Sequence, residues 1–308
     1  MSHVYDTLII GGGPAGYTAA LYATRAGLDT LILERMCPGG QMALTDIIDN
    51  YPGFPEGVDG ITLGMNMQMQ AERFGAQTIY EDVVSVDLTD PAVKTVRTTA
   101  NTYLARTVII ATGANPRELG LSNERALTGK GVHYCAHCDG RFYKGKTVAV
   151  VGGGNSAVSD ALYLSRVTEK VYVIHRRDSL RATKIYHEPL MKAENVEFVW
   201  DSAVTEILSD GRVTGVKVQN LKDGTERAIP FSGLFVSIGR KPATDFLQGS
   251  IELDAYGYIV ADESTRTSIP GVFAVGDVRT KALRQVVTAV ADGATAIHYA
   301  EEYLAEQI

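Results

Sequence analysis

Thr7-Leu8-Ile9-Ile10-Gly11-Gly12-Gly13-Pro14-Ala15-Gly16 reads as a short apolar strand running into a glycine turn that opens a helix. A helical stretch through Ala26 and a second strand, Thr30 to Glu34, complete a strand–turn–helix–strand unit. The pattern returns 141 residues later. Thr147 to Val151 leads into Gly152-Gly153-Gly154-Asn155-Ser156-Ala157, then a helix through Leu164 and a strand Val171 to Ile174. One glycine fingerprint is weak, but two in the same local context predict an α/β chain with two nucleotide-binding domains. In each copy the first glycine (Gly11, Gly152) permits the tight turn and the third (Gly13, Gly154) lets backbone approach a pyrophosphate. Gly16 or Ala157 keeps helix close to sheet, and unpaired N–H groups at the helix start face the phosphates.

The end of each second strand separates the two ligands. Glu34 offers a carboxylate to the hydroxyls of an unphosphorylated adenosine ribose, as in FAD or NAD. The matching position in the second copy is His175, followed by Arg176, Arg177 and then Arg181. Guanidinium groups there suit the dianion of a 2′-phosphate, so the second unit is expected to take NADP. A merely solvated basic face is the competing reading.

Composition sets outer limits. The 308 residues carry 29 basic and 36 acidic side chains, net −7, with 45% hydrophobic residues. This is ordinary for a globular protein and offers no basic footprint for nucleic acid. No apolar run is long enough to span a bilayer, and the first apolar stretch has no basic leader, so a membrane anchor or export signal is not expected. Length suggests about two domains. The strand Thr107–Gly113 is expected to close the first near residue 114, and residues 203–238 read as short strands of a meander. A late helix is expected from about Arg284 to Tyr303, and Met65, Met67 and Met69, on a helix Ile61 to Phe74, as ordinary packing and surface.

Chemistry concentrates in His133-Tyr134-Cys135-Ala136-His137-Cys138-Asp139-Gly140. Two cysteines at this spacing can close a small disulfide ring, and a helix starting there would favour a thiolate. Asp139, beside the second cysteine, is placed to handle the accompanying proton. Two cysteines with His133 or His137 also suggest zinc, but the second ligand pair that makes zinc motifs specific is absent. Cys37 has no partner near it in sequence. Few cysteines and no export signal point to the cytoplasm.

The order of first fingerprint, Cys-x-x-Cys-Asp, second fingerprint with His-Arg-Arg-Asp, and a late Gly276-Asp277 resembles low-molecular-weight thioredoxin reductase over nearly the whole chain. The resemblance implies two Rossmann-like, three-layer ββα domains, the NADPH domain inserted into a discontinuous FAD domain. The expected segments are 1–114 (FAD), 115–244 (NADPH, with the redox pair) and 245–308 (FAD). It implies FAD contacts at Gly11, Gly13, Pro14, Ala15, Gly16, Glu34, Arg35, Gly40, Gln41, Asn50, Val83, Ala111, Thr112, Gly113, Gly276, Asp277, Arg284, Gln285 and Val286. NADPH contacts are implied at Gly152, Gly154, Asn155, Ser156, Ala157, His175, Arg176, Arg177, Arg181, Ile238 and Gly239.

It further implies that Cys138 lies next to the flavin, that Cys135 attacks the disulfide of thioredoxin, and that Asp139 is the acid–base group. A homodimer is implied, with domain rotation about crossings near 114–118 and 242–246. The glutathione-reductase type places its cysteine pair soon after the first fingerprint, where only Cys37 stands; ferredoxin–NADP reductases of similar shape lack the pair. The family's usual Cys-Ala-Thr-Cys-Asp reads Cys-Ala-His-Cys-Asp here, which leaves open the preferred disulfide partner. A nucleotide-binding redox sensor without turnover is the alternative, resting on His137 alone.

Overall fold

The computed structural model describes residues 3–307 except Asp46 and Gln248, with the side chain of Tyr186 also left out. The chain divides into two compact units: residues up to Asn115 joined with those from Lys241 onward, and Pro116–Arg240. The two crossings, Ala114–Pro116 and Arg240–Pro242, pair with each other as a two-stranded sheet.

In the first unit, Val4–Ile10 runs parallel to Thr30–Glu34 on one side and to Thr102–Ile110 on the other. Val272–Ala274 adds to Thr102–Ile110, so the C-terminal segment completes a sheet begun at the N-terminus. An antiparallel pair, Val83–Asp87 with Lys94–Thr98, extends the sheet beyond Thr102–Ile110. Side chains alternate across a strand, so the run at residues 8–10 serves two cores. Ile9, Ile32, Ile109 and Phe273 face helices Pro14–Arg25 and Val286–Glu306. Leu8, Ile10, Leu31 and Leu33 instead meet Leu88, Val96, Leu247 and Ile259. Each such fully buried aliphatic side chain contributes about 1.5–3 kcal/mol. The two helices are small-residue faced and touch closely: a Cβ at Gly293 would lie 2.3 Å from the Ala15 carbonyl oxygen.

The inserted unit repeats the plan. Its parallel sheet runs Val196–Val199, Lys170–Ile174, Thr147–Val151, Gly233–Val236, Val132–His133. Val148, Val150 and Phe235 pack on helix Asn155–Val167, while Ala149, Val151 and Leu234 pack on the opposite layer. That layer is the expected meander, Ser202–Ser209, Val213–Asn220 and Glu226–Pro230, all antiparallel. The inserted unit is therefore helix, parallel sheet and strand layer in succession, while in the first unit the antiparallel strands continue the same sheet.

The late helix starts at Val286 and runs to Glu306. In helix Gly60–Glu72, Met67 packs partly on the core while Met65 and Met69 are exposed.

Candidate active site and nucleotide-binding turns

In the first turn, Gly11 has φ +106°, and a Cβ there would lie 2.6 Å from the Ala111 carbonyl oxygen. Only glycine suits both constraints. The Gly11 N–H donates to the Leu33 carbonyl (2.8 Å), locking the turn onto the second strand. Gly13 caps helix Pro14–Arg25 with no side-chain partner, no acidic residue occupies the first turn, and a Cβ on Gly13 would meet nothing within 4 Å. The helix start is thus open and its N–H groups are uncapped by side chains. A pyrophosphate fits this cradle on charge and on space. Glu34 reaches back along the turn, accepting from the N–H of Gly12 (2.6 Å) and of Met36 (2.9 Å).

Some of the other residues with an implied FAD role lie against this turn, and others do not. Ala111 lies against Gly11, with Thr112 and Gly113 following; Gly40 lies 3.5 Å, by its Cβ position, from the Gly13 Cα. Gly276 packs on Ala15. Its turn is anchored by Asp292, which accepts from the Gly276 N–H (2.8 Å), from Arg279 and from Lys281. Burial opposes ionisation of Asp292, yet the bonds and charges of Arg279 and Lys281 hold its carboxyl below the usual carboxylate range. Arg284 reaches the backbone carbonyls of Asp277 and Arg279. Gln285 caps the last helix and accepts from Asn50 (3.0 Å), while Gln41 donates to Asn115. Val286 packs beside Met42, and Arg35 is exposed. Val83 packs with the strand-layer core.

The second turn copies the first. Gly152 has φ +146° and its Cβ position lies 2.4 Å from the Ser237 carbonyl oxygen. Its N–H donates to Ile174 (3.0 Å), and Gly154 opens onto free space before an uncapped helix start at Asn155. Asn155 accepts from the Thr183 N–H, and the Gly153 carbonyl accepts from the N–H of Arg181 (2.7 Å), drawing the loop after the second strand over the turn. Arg176, Arg177 and Arg181 are exposed, and no ion pair engages their guanidinium groups among the described residues. His175 points the other way. It is 4% exposed and lies under Gly153, whose Cβ would come within 2.4 Å of the ring. Burial, then the charges of Arg181, Arg176 and Arg177, push its pKa below the ordinary histidine value. Ala157 is buried beneath the turn; Ser156 and Ile238 are exposed, and the Gly239 carbonyl accepts from Arg117.

Cys135 and Cys138 are joined as a disulfide, with Cα atoms 5.3 Å apart. The sulfurs hold each other, and Cys37 is exposed and free. The helix expected at the pair is one turn, Ala136–Asp139, continued as a 3₁₀ turn Gly140–Tyr143. Asp139 is mostly buried, with Oδ2 3.1 Å from the His133 Nδ1. His133 comes from the edge strand Val132–His133, and its Nε2 lies 2.7 Å from the Tyr143 hydroxyl. Its ring stacks on Phe235. The motif alone gives no sign of this Asp139–His133–Tyr143 chain, because it forms only when the strand reaches the sheet edge. His137 is exposed and lies on Tyr163, ring centroids 4.4 Å apart. Glu124, also unforeseen, is 1% exposed and accepts from the N–H groups of Leu119 and Gly120 and from the Tyr134 hydroxyl. It ties the strand leading to Cys135 into the loop before it.

Residues 5–293 match the family of pyridine nucleotide-disulphide oxidoreductases. A thioredoxin reductase of Listeria monocytogenes is 48% identical over 304 residues, covering 98% of this chain and 95% of that relative. The crystal structure of thioredoxin reductase from Streptococcus pyogenes matches with TM-score 0.92 and 45% identity, covering 99% of this chain and all of that one. Thioredoxin reductase from Giardia duodenalis matches with TM-score 0.91 at 40% identity, over 99% of this chain and all of that one.

Proposed function

We propose, from the premise that this chain belongs to the pyridine nucleotide-disulphide oxidoreductase family, a division of labour among its residues in thioredoxin-disulfide reduction. The chain is an NADPH-dependent reductase with FAD as its second cofactor. The observation that carries the assignment is a formed Cys135–Cys138 disulfide in a unit whose nucleotide turn is open, in a chain that carries a second unit of the same design.

The first turn, with Glu34 at its second strand, is the FAD-holding one. The second, with Arg176, Arg177 and Arg181 exposed around it, receives NADPH. Bound NADPH supplies a hydride, and bound FAD relays its two electrons to the disulfide. Opening the Cys135–Cys138 bond takes two electrons and one proton and leaves one thiol and one thiolate. Cys135 then attacks the disulfide of thioredoxin as a thiolate, forming a mixed disulfide. Cys138 attacks Cys135 in turn, which releases the partner thiolate and restores the original bond. Asp139 gives and regains the proton.

Thioredoxin is the protein substrate, the state in solution is a homodimer, and the compartment is the cytoplasm. The support for the dimer is the family resemblance together with Ile61, Met65 and Met69, which share an exposed apolar face of helix Gly60–Glu72. Among the described residues no helix is long and apolar enough to cross a membrane.

Cys138→Ser tests the assignment. NADPH is expected still to bleach the flavin of this variant, while thioredoxin-coupled insulin reduction is lost. Full turnover would overturn the role given to Cys138.

A further inference from the structure

We propose that His133 is a positioning residue for proton transfer, sharing with Asp139 the single proton that disulfide opening consumes. This rests on the assignment of Asp139 as the acid–base group. The geometry is a continuous chain: Asp139 Oδ2 to His133 Nδ1 at 3.1 Å, and His133 Nε2 to the Tyr143 hydroxyl at 2.7 Å. Every member is withdrawn from solvent. His133 is 8% exposed, Tyr143 5%, and the Asp139 side chain 14%. The imidazole is clamped between Phe235, stacked at 5.3 Å, and Tyr143, edge-on at 5.3 Å, so its two nitrogens have fixed addressees.

Both protonation states of the pair are accommodated by this chain. With the pair carrying one proton beyond neutral imidazole and carboxylate, the ring donates from Nδ1 to Asp139 and from Nε2 to the Tyr143 oxygen. When that proton passes from Nδ1 through the Asp139 carboxyl to sulfur, Nε2 keeps its hydrogen and still donates to the Tyr143 oxygen, which holds the ring in place until Nδ1 is protonated again. Burial, partly countered by Arg212 and reinforced by Asp139, pushes the Tyr143 pKa up to about 12, so the phenol keeps its proton in both states.

The charged and titratable groups around His133 are few. Asp139 faces it from the turn after the cysteines and Tyr143 from the following 3₁₀ turn. Arg212, from the turn between Ser202–Ser209 and Val213–Asn220, acts on Tyr143 through its charge and a side-chain hydrogen bond, and the Lys146 ammonium lies over the Tyr143 ring at 5.8 Å. The sheet contributes Phe235, which carries no charge.

The proton balance is simple. Two electrons break the Cys135–Cys138 bond; one proton leaves the Asp139–His133 pair and makes one sulfur a thiol; the other stays a thiolate. When Cys138 later attacks Cys135 it hands that proton back, so the pair is restored at the end of each turnover.

The test is the pH profile of kcat for thioredoxin reduction in the flavin-loaded enzyme. NADPH-dependent dye reduction, which bypasses the disulfide, reports whether flavin and NADPH sites are intact. For His133→Asn the alkaline limb is expected to move down by about two pH units, the gap between ordinary histidine and aspartate titration. Dye reduction should stay within about threefold of the parent. Tyr143→Phe is expected to shift the limb in the same direction by less, since it removes one partner of the charged ring. A His133→Asn profile that overlays the parent, with only a uniform loss of rate, would overturn the proposal. If His133→Asn also loses dye reduction, Tyr143→Phe decides: an unshifted limb overturns it. Asp139→Asn separates the two levels. A normal profile in that variant sinks the assignment of Asp139 itself, whereas an altered one alongside a normal His133→Asn profile sinks only the inference.

Discussion

The two glycine turns are alike in backbone and opposite in what surrounds them. Gly11 donates to Leu33 and Gly152 to Ile174; Thr7 pairs with Thr30 and Val148 with Val171; both helix starts are uncapped by side chains. At the end of the second strand the copies part. Glu34 bends back to bond the turn through the Gly12 N–H, presenting negative charge beside it. His175 fills the equivalent position from below, against Gly153, and the exposed face is left to Arg176, Arg177 and Arg181. On the proposed assignment, supporting the turn and choosing the ligand are one residue's work in the first copy and are shared among four in the second. A duplicated frame can change its strand end while retaining the bond from the first glycine that locks each turn onto the second strand.

The largest test of this contrast is steric. A Cβ on Gly16 would fall 1.9 Å from the Gly11 carbonyl oxygen, whereas the matching position in the second turn already carries Ala157. Gly16→Ala is expected to cost about 3 kcal/mol or more, and to abolish flavin retention. Ala157→Gly should cost under about 1 kcal/mol. Flavin absorbance after gel filtration and thermal melting distinguish them, and equal tolerance at both sites would break the comparison.

Next comes the double variant Arg176→Ala/Arg177→Ala. Two charge-assisted contacts at about 1.5 kcal/mol each predict a roughly hundredfold fall in kcat/KM for NADPH. NADH is expected to change by less than about threefold, so the ratio of the two donors is the measurement. An equal loss for both would mean the arginines hold the loop rather than the phosphate.

The smallest effect concerns acid. The His175 ring resists protonation in the fold, so below its ordinary titration range the unfolded chain binds more protons than the folded one. Stability from this group is present above about pH 6.5 and falls as pH drops further. His175→Gln should flatten part of the decline in melting temperature between pH 7.5 and 5.5. An unchanged slope would show that the ring titrates freely.

What could be read in advance, and what could not, divides along physical lines. The fingerprints were legible because strand, glycine turn and helix start fall within a few consecutive residues, even though the atoms that crowd Gly11 and Gly152 come from Ala111 and Ser237. Likewise the run Leu8-Ile9-Ile10 advertised a strand buried on both faces. The close spacing of Cys135 and Cys138 made their pairing visible as well. His133 and Tyr143 were another matter. They lie ten residues apart on an edge strand and a 3₁₀ turn, and meet because Val132–His133 pairs with Gly233–Val236, a hundred positions downstream. The inward turn of His175 was hidden for the same reason: a strand's period tells which residues share a face, but His175 follows the end of strand Lys170–Ile174 and is free of that pattern. Glu124 looked like any surface acid, since nothing local signals that three backbone N–H groups of residues 119–121 will close around it.

One consequence concerns the order in which the protein can be made. All strands of the inserted unit have left the ribosome once Val236 has emerged. Its host is still missing Val272–Ala274 and the helix that covers Pro14–Arg25 until residue 306 is out. On a nascent chain the inserted fold is therefore finished while the host fold waits half-built, with Ile9, Ile109 and the alanine face of its first helix still uncovered. Chaperone dependence during synthesis should concentrate on that interval, and loading of the yellow prosthetic group should come last.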